Sequence, residues 1–105
     1  MAESTTVRTN TEEYLPAAIT AGVTDNCLWP EHKKAGCTVT LKITAGTGSI
    51  QTTTSGAEAV VAGTAEWVTT YHGVKAATFS AEIAPVTAIR GVWGSGTVQL
   101  SVKFF

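Results

Sequence analysis

The chain has 105 residues, of which 44% are apolar and only 14% charged, and it carries a net charge of −1. That length bounds it to one domain around a single core, burying roughly 60–65% of the unfolded surface. Near-neutrality gives no general pull towards nucleic acid or an anionic membrane, and no apolar run approaches the ~20 residues of a membrane span.

Charge is thin beside the roughly one quarter usual for a soluble domain, so the polar surface must come from elsewhere. Threonine supplies it: there are nineteen, clustered at Thr52-Thr53-Thr54 and Thr69-Thr70. Threonine is β-branched and suits a pleated surface, so composition already leans towards strands.

In chain order, residues 1–13 are polar and aperiodic, carrying Glu3, Arg8, Glu12 and Glu13. They are expected to form a flexible or extended arm ahead of a single domain over residues 14–105. Thr5, Val7, Thr9 and Thr11 tolerate extended structure, so the arm is expected to lie along a neighbouring subunit by strand addition. "MAESTTVRTNTEEY" has neither the basic nor the apolar region of a secretory signal, which predicts synthesis in the cytoplasm. Release by lysis would still permit an extracellular working life.

"YLPAAITAGV" reads as a first strand, at an edge or a start because of Pro16. "CTVTLKITA" alternates cleanly, with Val39, Leu41 and Ile43 on one face. "GTGS" reads as a turn, followed by "IQTTT" and the short apolar "EAVVA". "AEWVTTYH" and "AATFSAEIA" continue the pattern until Pro85 breaks it. "VTAIRGVW" and "GTVQLSVKFF" are then divided by a Gly94-Ser95-Gly96 turn, with Val98, Leu100, Val102 and Phe104 facing in. No window carries a helical stripe; "SGAEAVVAGTAEW" comes nearest, and glycines interrupt it. The predicted fold is all-β, a single antiparallel sandwich (jelly-roll or immunoglobulin-like) of seven or eight short strands. Its expected core is Val39, Leu41, Ile43, Phe79, Ile83, Ile89, Val98, Leu100 and Val102.

The stretch richest in reactive groups is "TDNCLWPEHKKAGCTV", residues 24–39. Cys27, His32 and Cys37, with His72 as a remote fourth, have the donor types of a zinc site. Their spacing lacks the short paired knuckles of structural zinc, so no metal is expected. A Cys27–Cys37 disulfide would close a nine-residue loop and contribute about 3 kcal/mol. Cytoplasmic synthesis favours two reduced, buried thiols instead, and both readings stand. Trp29-Pro30 is expected to anchor the loop, with Glu31 to Lys34 as its solvated tip.

Catalytic patterns are missing: the sequence has no G-x-S-x-G and no H-E-x-x-H, and "GVWGSG" leads into a strand, where a phosphate cradle needs a helix. Glu58, Glu66 and Glu82 could supply a carboxylate pair for glycoside chemistry, but each fits a solvated strand face better. His72 beside Tyr71 reads as a strand-end residue rather than a general base. Trp29, Trp67 and Trp93 either fill the core or, if exposed, stack on sugars as in carbohydrate-binding modules. The expectation is a protein without enzymatic activity or cofactor.

The segment "AEWVTTYHGVKAATFSAEIAPVTAIRGVWGSGTVQLSVKFF" resembles the ending of small virion structural proteins of tailed bacteriophages. The matching pieces are the strand at Trp67, the Pro85 to Arg90 strand, the Gly94 to Gly96 turn and the final Thr97 to Val102 strand. The resemblance implies a β-sandwich without catalysis, assembled on a capsid or tail. A decoration or cement protein on the major capsid protein is the leading expectation, with a head-fibre or tail component as its variant. Such a protein would be homo-oligomeric or lattice-bound, located in the virion, with no nucleic-acid or membrane partner. A carbohydrate-binding module is the alternative. Candidate partner contacts are Thr5, Val7, Thr9, Thr11, Trp29, Phe104 and Phe105; the last strand ends in two aromatic rings without a polar tail.

Overall fold

The computed structural model describes residues 6–8 and 13–105. Two runs dominate it: Cys37–Thr53 and Ala88–Phe104 each form a strand of 17 residues, here β4 and β7. The remaining strands are β1 (Thr6–Arg8), β2 (Glu13–Tyr14), β3 (Asn26–Leu28), β5 (Val68–Thr69) and β6 (Phe79–Ile83). Among the described residues there is one helix, α1, over Ala57–Ala62. The all-β, mainly antiparallel expectation holds.

The strands form one seven-stranded sheet, not two. β4 and β7 pair antiparallel from Cys37↔Phe104 to Thr53↔Ala88. On the far side of β7 the chain runs down as an interrupted strand: β2, a bridge at Ile19, a bridge at Val23, then β3. On the far side of β4 run β5 and β6, joined by a bridge at Lys75.

A straight 17-residue strand would span roughly 56 Å, yet the longest extent of the molecule is 35 Å. Both long strands must therefore bend, and they do so together. The register slips between Thr44 and Gly48, opposite Gly94–Gly96. Inward-facing residues are odd-numbered before the bend in β4 (Val39, Leu41, Ile43) and even-numbered after it (Gly48, Ile50). In β7 they change from Ile89 and Gly91 to Val98, Leu100, Val102 and Phe104. One extra residue in a strand makes such a switch of face. Leu41 shows the result: its methyl groups lie 3.1 Å from where a Cβ on Gly48 or on Gly91 would stand. Seven residues of straight strand would hold Leu41 and Gly48 some 23 Å apart. The ribbon folds over itself and closes its core between the two halves. The "GTGS" and Gly94–Gly96 segments, expected as turns between short strands, are thus bends within long ones.

Of the predicted core, Val39, Leu41, Ile43, Ile89, Val98, Leu100 and Val102 are buried, while Phe79 and Ile83 are half-buried on β6. Each fully buried aliphatic side chain contributes about 1.5–3 kcal/mol. A second, smaller cluster lies on the outer face beyond the bend, where Val60 of α1 packs on Leu28 and Ala88. The fold has almost no helix, as expected, but "EAVVA", read as a short extended run, lies within α1. The glycines that disrupt its stripe are its ends: Gly56 is the N-cap, and Gly63 takes φ +80° at the C-cap, with Thr64 N–H donating to Ala59 O. Within the arm, Thr6–Arg8 pairs in parallel with Asn26–Leu28 of the same chain, with Val7 in register with Cys27. Thr5, Thr9 and Thr11 lie outside the described residues.

Candidate functional site

The cysteine loop is closed from within. Trp29 Nε1 donates to Lys33 O, Lys33 N–H returns to Pro30 O at 3.1 Å, and Pro30 is buried. The Trp29 ring meets Phe104 edge-on at 5.0 Å. Phe105 N–H donates to Gly36 O at 2.9 Å, tying the end of the loop to β7. Glu31, His32 and Lys34 are exposed, which makes the expected solvated tip. Trp29 and Phe104 were both candidate partner contacts. Phe104 is only 2% exposed, and Trp29 is half-buried against it.

Cys27 and Cys37 are buried and unbridged in this structure. Burial pushes each thiol up to about 12, and Cys37 lies close enough to Cys27 to raise it further. Bridge formation starts from a thiolate, which burial suppresses. Tyr14 shares this core; its hydroxyl is buried without a hydrogen-bond partner, and burial raises its pKa strongly.

These shifts make the fold sensitive to alkali. The unfolded chain releases thiol protons from about pH 9, while the folded chain holds them to about pH 12. The unfolded state then binds fewer protons, so stability is complete below pH 9 and is lost as pH rises towards 12. The two thiols together should cost about 1.5 kcal/mol between roughly pH 8 and pH 9.5. Urea unfolding at the two pH values measures this, and a double Cys→Ser variant should lose most of the pH dependence. A flat profile in the parent protein would show that the thiols are not protected by burial.

The structure does not gather the other sequence-predicted ligands. His32 is on the exposed loop tip, whereas His72 stacks on Tyr71 at 4.0 Å and contacts Thr70 Oγ1 at 3.2 Å. Among the described residues no three His, Cys, Asp or Glu side chains group as metal ligands. Glu58, Glu66 and Glu82 are exposed on α1, on the following loop and on β6 respectively. Trp67 and Trp93 are half-buried, and Trp93 Nε1 donates to Gly96 O at 2.8 Å.

A different region is brought together, and the sequence reading did not single it out. β5 and β6 pair only with β4, leaving the other edge of segment 68–83 without a sheet partner among the described residues. Among the described residues, three of the six exposed large apolar side chains lie on this segment: Val68, Tyr71 and Val74, with Tyr71 92% exposed. Phe105, 50% exposed, lies across β4 from this edge and, with Gly36, Cys37, Ile83 and Ala84, lines a cavity of about 310 Å³ at the ends of the three strands. A second cavity of about 240 Å³ lies between Tyr71, His72 and Ile83. Alternation was the available signal, since Tyr71 and Val74 sit where the strand pattern lapses.

Comparison with protein-family models, with curated proteins and with solved structures gives no match to this chain.

Proposed function

We propose that this protein is a non-enzymatic structural subunit of a bacteriophage virion, a decoration or cement protein that seats on the major capsid protein. The observation that carries the reading is the apolar free edge of segment 68–83. Native sheets usually blunt an edge with charge, proline or a cover. Here Val68, Tyr71 and Val74 face solvent along it. Such an edge suits strand addition by an extended segment of a partner, with backbone hydrogen bonds supplying affinity and the apolar side chains supplying register. A lattice multiplies a weak contact over many copies, which is why a small domain is sufficient. The resemblance of the segment from Ala65 to Phe105 to virion proteins points the same way.

Support for the carbohydrate-binding alternative is thinner. The indole N–H groups of Trp29 and Trp93 are satisfied internally, and the guanidinium of Arg90 covers one face of the Trp67 ring at 4.2 Å.

Co-sedimentation with purified phage heads tests the proposal. The parent protein should bind at a fixed ratio to the capsid protein. A Tyr71→Ser, Val74→Ser double variant should fold within about 0.5 kcal/mol per site of the parent and bind at least tenfold more weakly. Unchanged binding by the variant would move the contact elsewhere, and no binding by the parent would remove the capsid reading.

A further inference from the structure

Among the described residues Tyr71 is the most exposed large apolar side chain, at 92%, yet its ring is held in place. It stacks on the His72 ring, with 4.0 Å between centroids. His72 in turn contacts Thr70 Oγ1 at 3.2 Å and lies 6.0 Å from the ring of Phe79, a half-buried residue of β6. The Tyr71 ring is thereby backed by a neighbour, with most of its surface in water. A ring fixed before a partner arrives loses less freedom on binding.

Tyr71 and His72 line the cavity of about 240 Å³ on the free edge together with Glu82, Ile83 and Ala84. That volume falls short of the roughly 300–1,000 Å³ of sites that enclose a whole small molecule, and it suits one side chain. Among the described residues Glu82 is the only carboxylate in the lining, and no lysine or arginine joins it. Glu82 makes no hydrogen bond or ion pair with another described residue. We infer that this cavity takes an arginine side chain carried by the partner's extended segment, the guanidinium resting on the Tyr71 ring and pairing with the Glu82 carboxylate. This choice of occupant rests on the strand-addition reading of the edge and names what the added strand carries. A guanidinium is planar, so it can stack on an aromatic ring and pair with a carboxylate at once. A charge on a free edge also repels segments that cannot match it. Glu82 thus rejects an acidic strand as it selects a basic one.

Three acetylated, amidated peptides Thr-Val-Thr-X-Thr-Val-Thr, with arginine, citrulline or glutamate at X, test the inference. Titration of the isotope-labelled full chain, followed at its backbone amide resonances, should give saturable shifts at residues 70–72 and 82–84 with the arginine peptide. Citrulline keeps the shape and loses the charge, so its peptide should bind about tenfold more weakly. The glutamate peptide should bind more weakly again. Glu82→Lys, at an exposed position, should reverse the order, the variant preferring the glutamate peptide to the arginine one. Equal binding of the arginine and citrulline peptides, no saturable shift, or an unreversed order in Glu82→Lys would each overturn the inference. Phage heads keep the two readings apart. Failure of the parent protein to bind heads removes the capsid reading, while the peptide order still decides the occupant of the cavity. Equal binding of parent and Glu82→Lys to heads would overturn the inference and leave capsid attachment in place.

Discussion

Gly46→Ala should destabilise the protein by about 3 kcal/mol or more, lowering its melting temperature by over ~12 °C. A Cβ at this position would stand 1.9 Å from Ser95 O, 2.2 Å from Ser95 C and 2.6 Å from Gly96 N. All three atoms are backbone, so no side-chain rotation relieves the clash. The two long strands cross here while both are bending, and separating them would open the core between the halves. Gly96→Ala should be comparably severe, because it combines φ +69° with a Cβ 2.5 Å from both Ala45 O and Thr44 O. Gly73→Ala is the control: its φ of +68° is strained for alanine, but nothing lies within 4 Å. The conformational cost alone is about 1 kcal/mol. Urea denaturation followed by circular dichroism ranks the three. If Gly46→Ala cost no more than Gly73→Ala, the strands would not cross as tightly as the geometry requires.

This crossing also marks the limit of what the sequence makes legible. The alternation in "CTVTLKITA" and "GTVQLSVKFF" identifies inward faces correctly, because one side of each strand is buried and period two leaves no ambiguity. Glycine-rich segments report that an extended run is interrupted. They do not report whether the chain then reverses or continues at an angle, since both outcomes need the same backbone freedom. The discriminating sign lay in parity: Ile43 and Ile50 are both buried and seven residues apart, an odd spacing that suits a bulged continuous strand. The helix was missed for a related reason. Six residues are under two turns, too few for a periodic stripe, and the tertiary contact of Val60 with Leu28 and Ala88 decides its conformation. Site residues were least visible. Glu82 alternates with Ile83 and so reads as an ordinary solvated position. Its meeting with Tyr71 at one cavity follows no local spacing, because β6 and the turn after β5 come together only in the folded sheet.

Adjacent phenylalanines at the end of β7 should separate folding from assembly. Phe104 is 2% exposed, packed edge-on against Trp29 inside the main core. Phe104→Ala leaves a cavity that backbone relaxation cannot fill, at a cost of about 3–5 kcal/mol, and it should loosen the loop that Trp29 anchors. Phe105 is 50% exposed beside the cavity that it lines with Ile83 and Ala84 at the strand ends. Its backbone bonds to Ala35 and Gly36 do not depend on the ring, so they survive truncation to alanine. Phe105→Ala should therefore cost at most about 1 kcal/mol of stability. The half of the ring that remains in water is worth roughly 1–1.5 kcal/mol if a partner covers it, which is about tenfold in the affinity of one contact. Urea unfolding should find Phe104→Ala strongly destabilised and Phe105→Ala nearly unaffected. Co-sedimentation with phage heads should find Phe105→Ala bound about tenfold more weakly although it is folded. Full retention of binding by Phe105→Ala would confine the partner surface to Val68, Tyr71 and Val74, and remove the strand-end cavity from the interface.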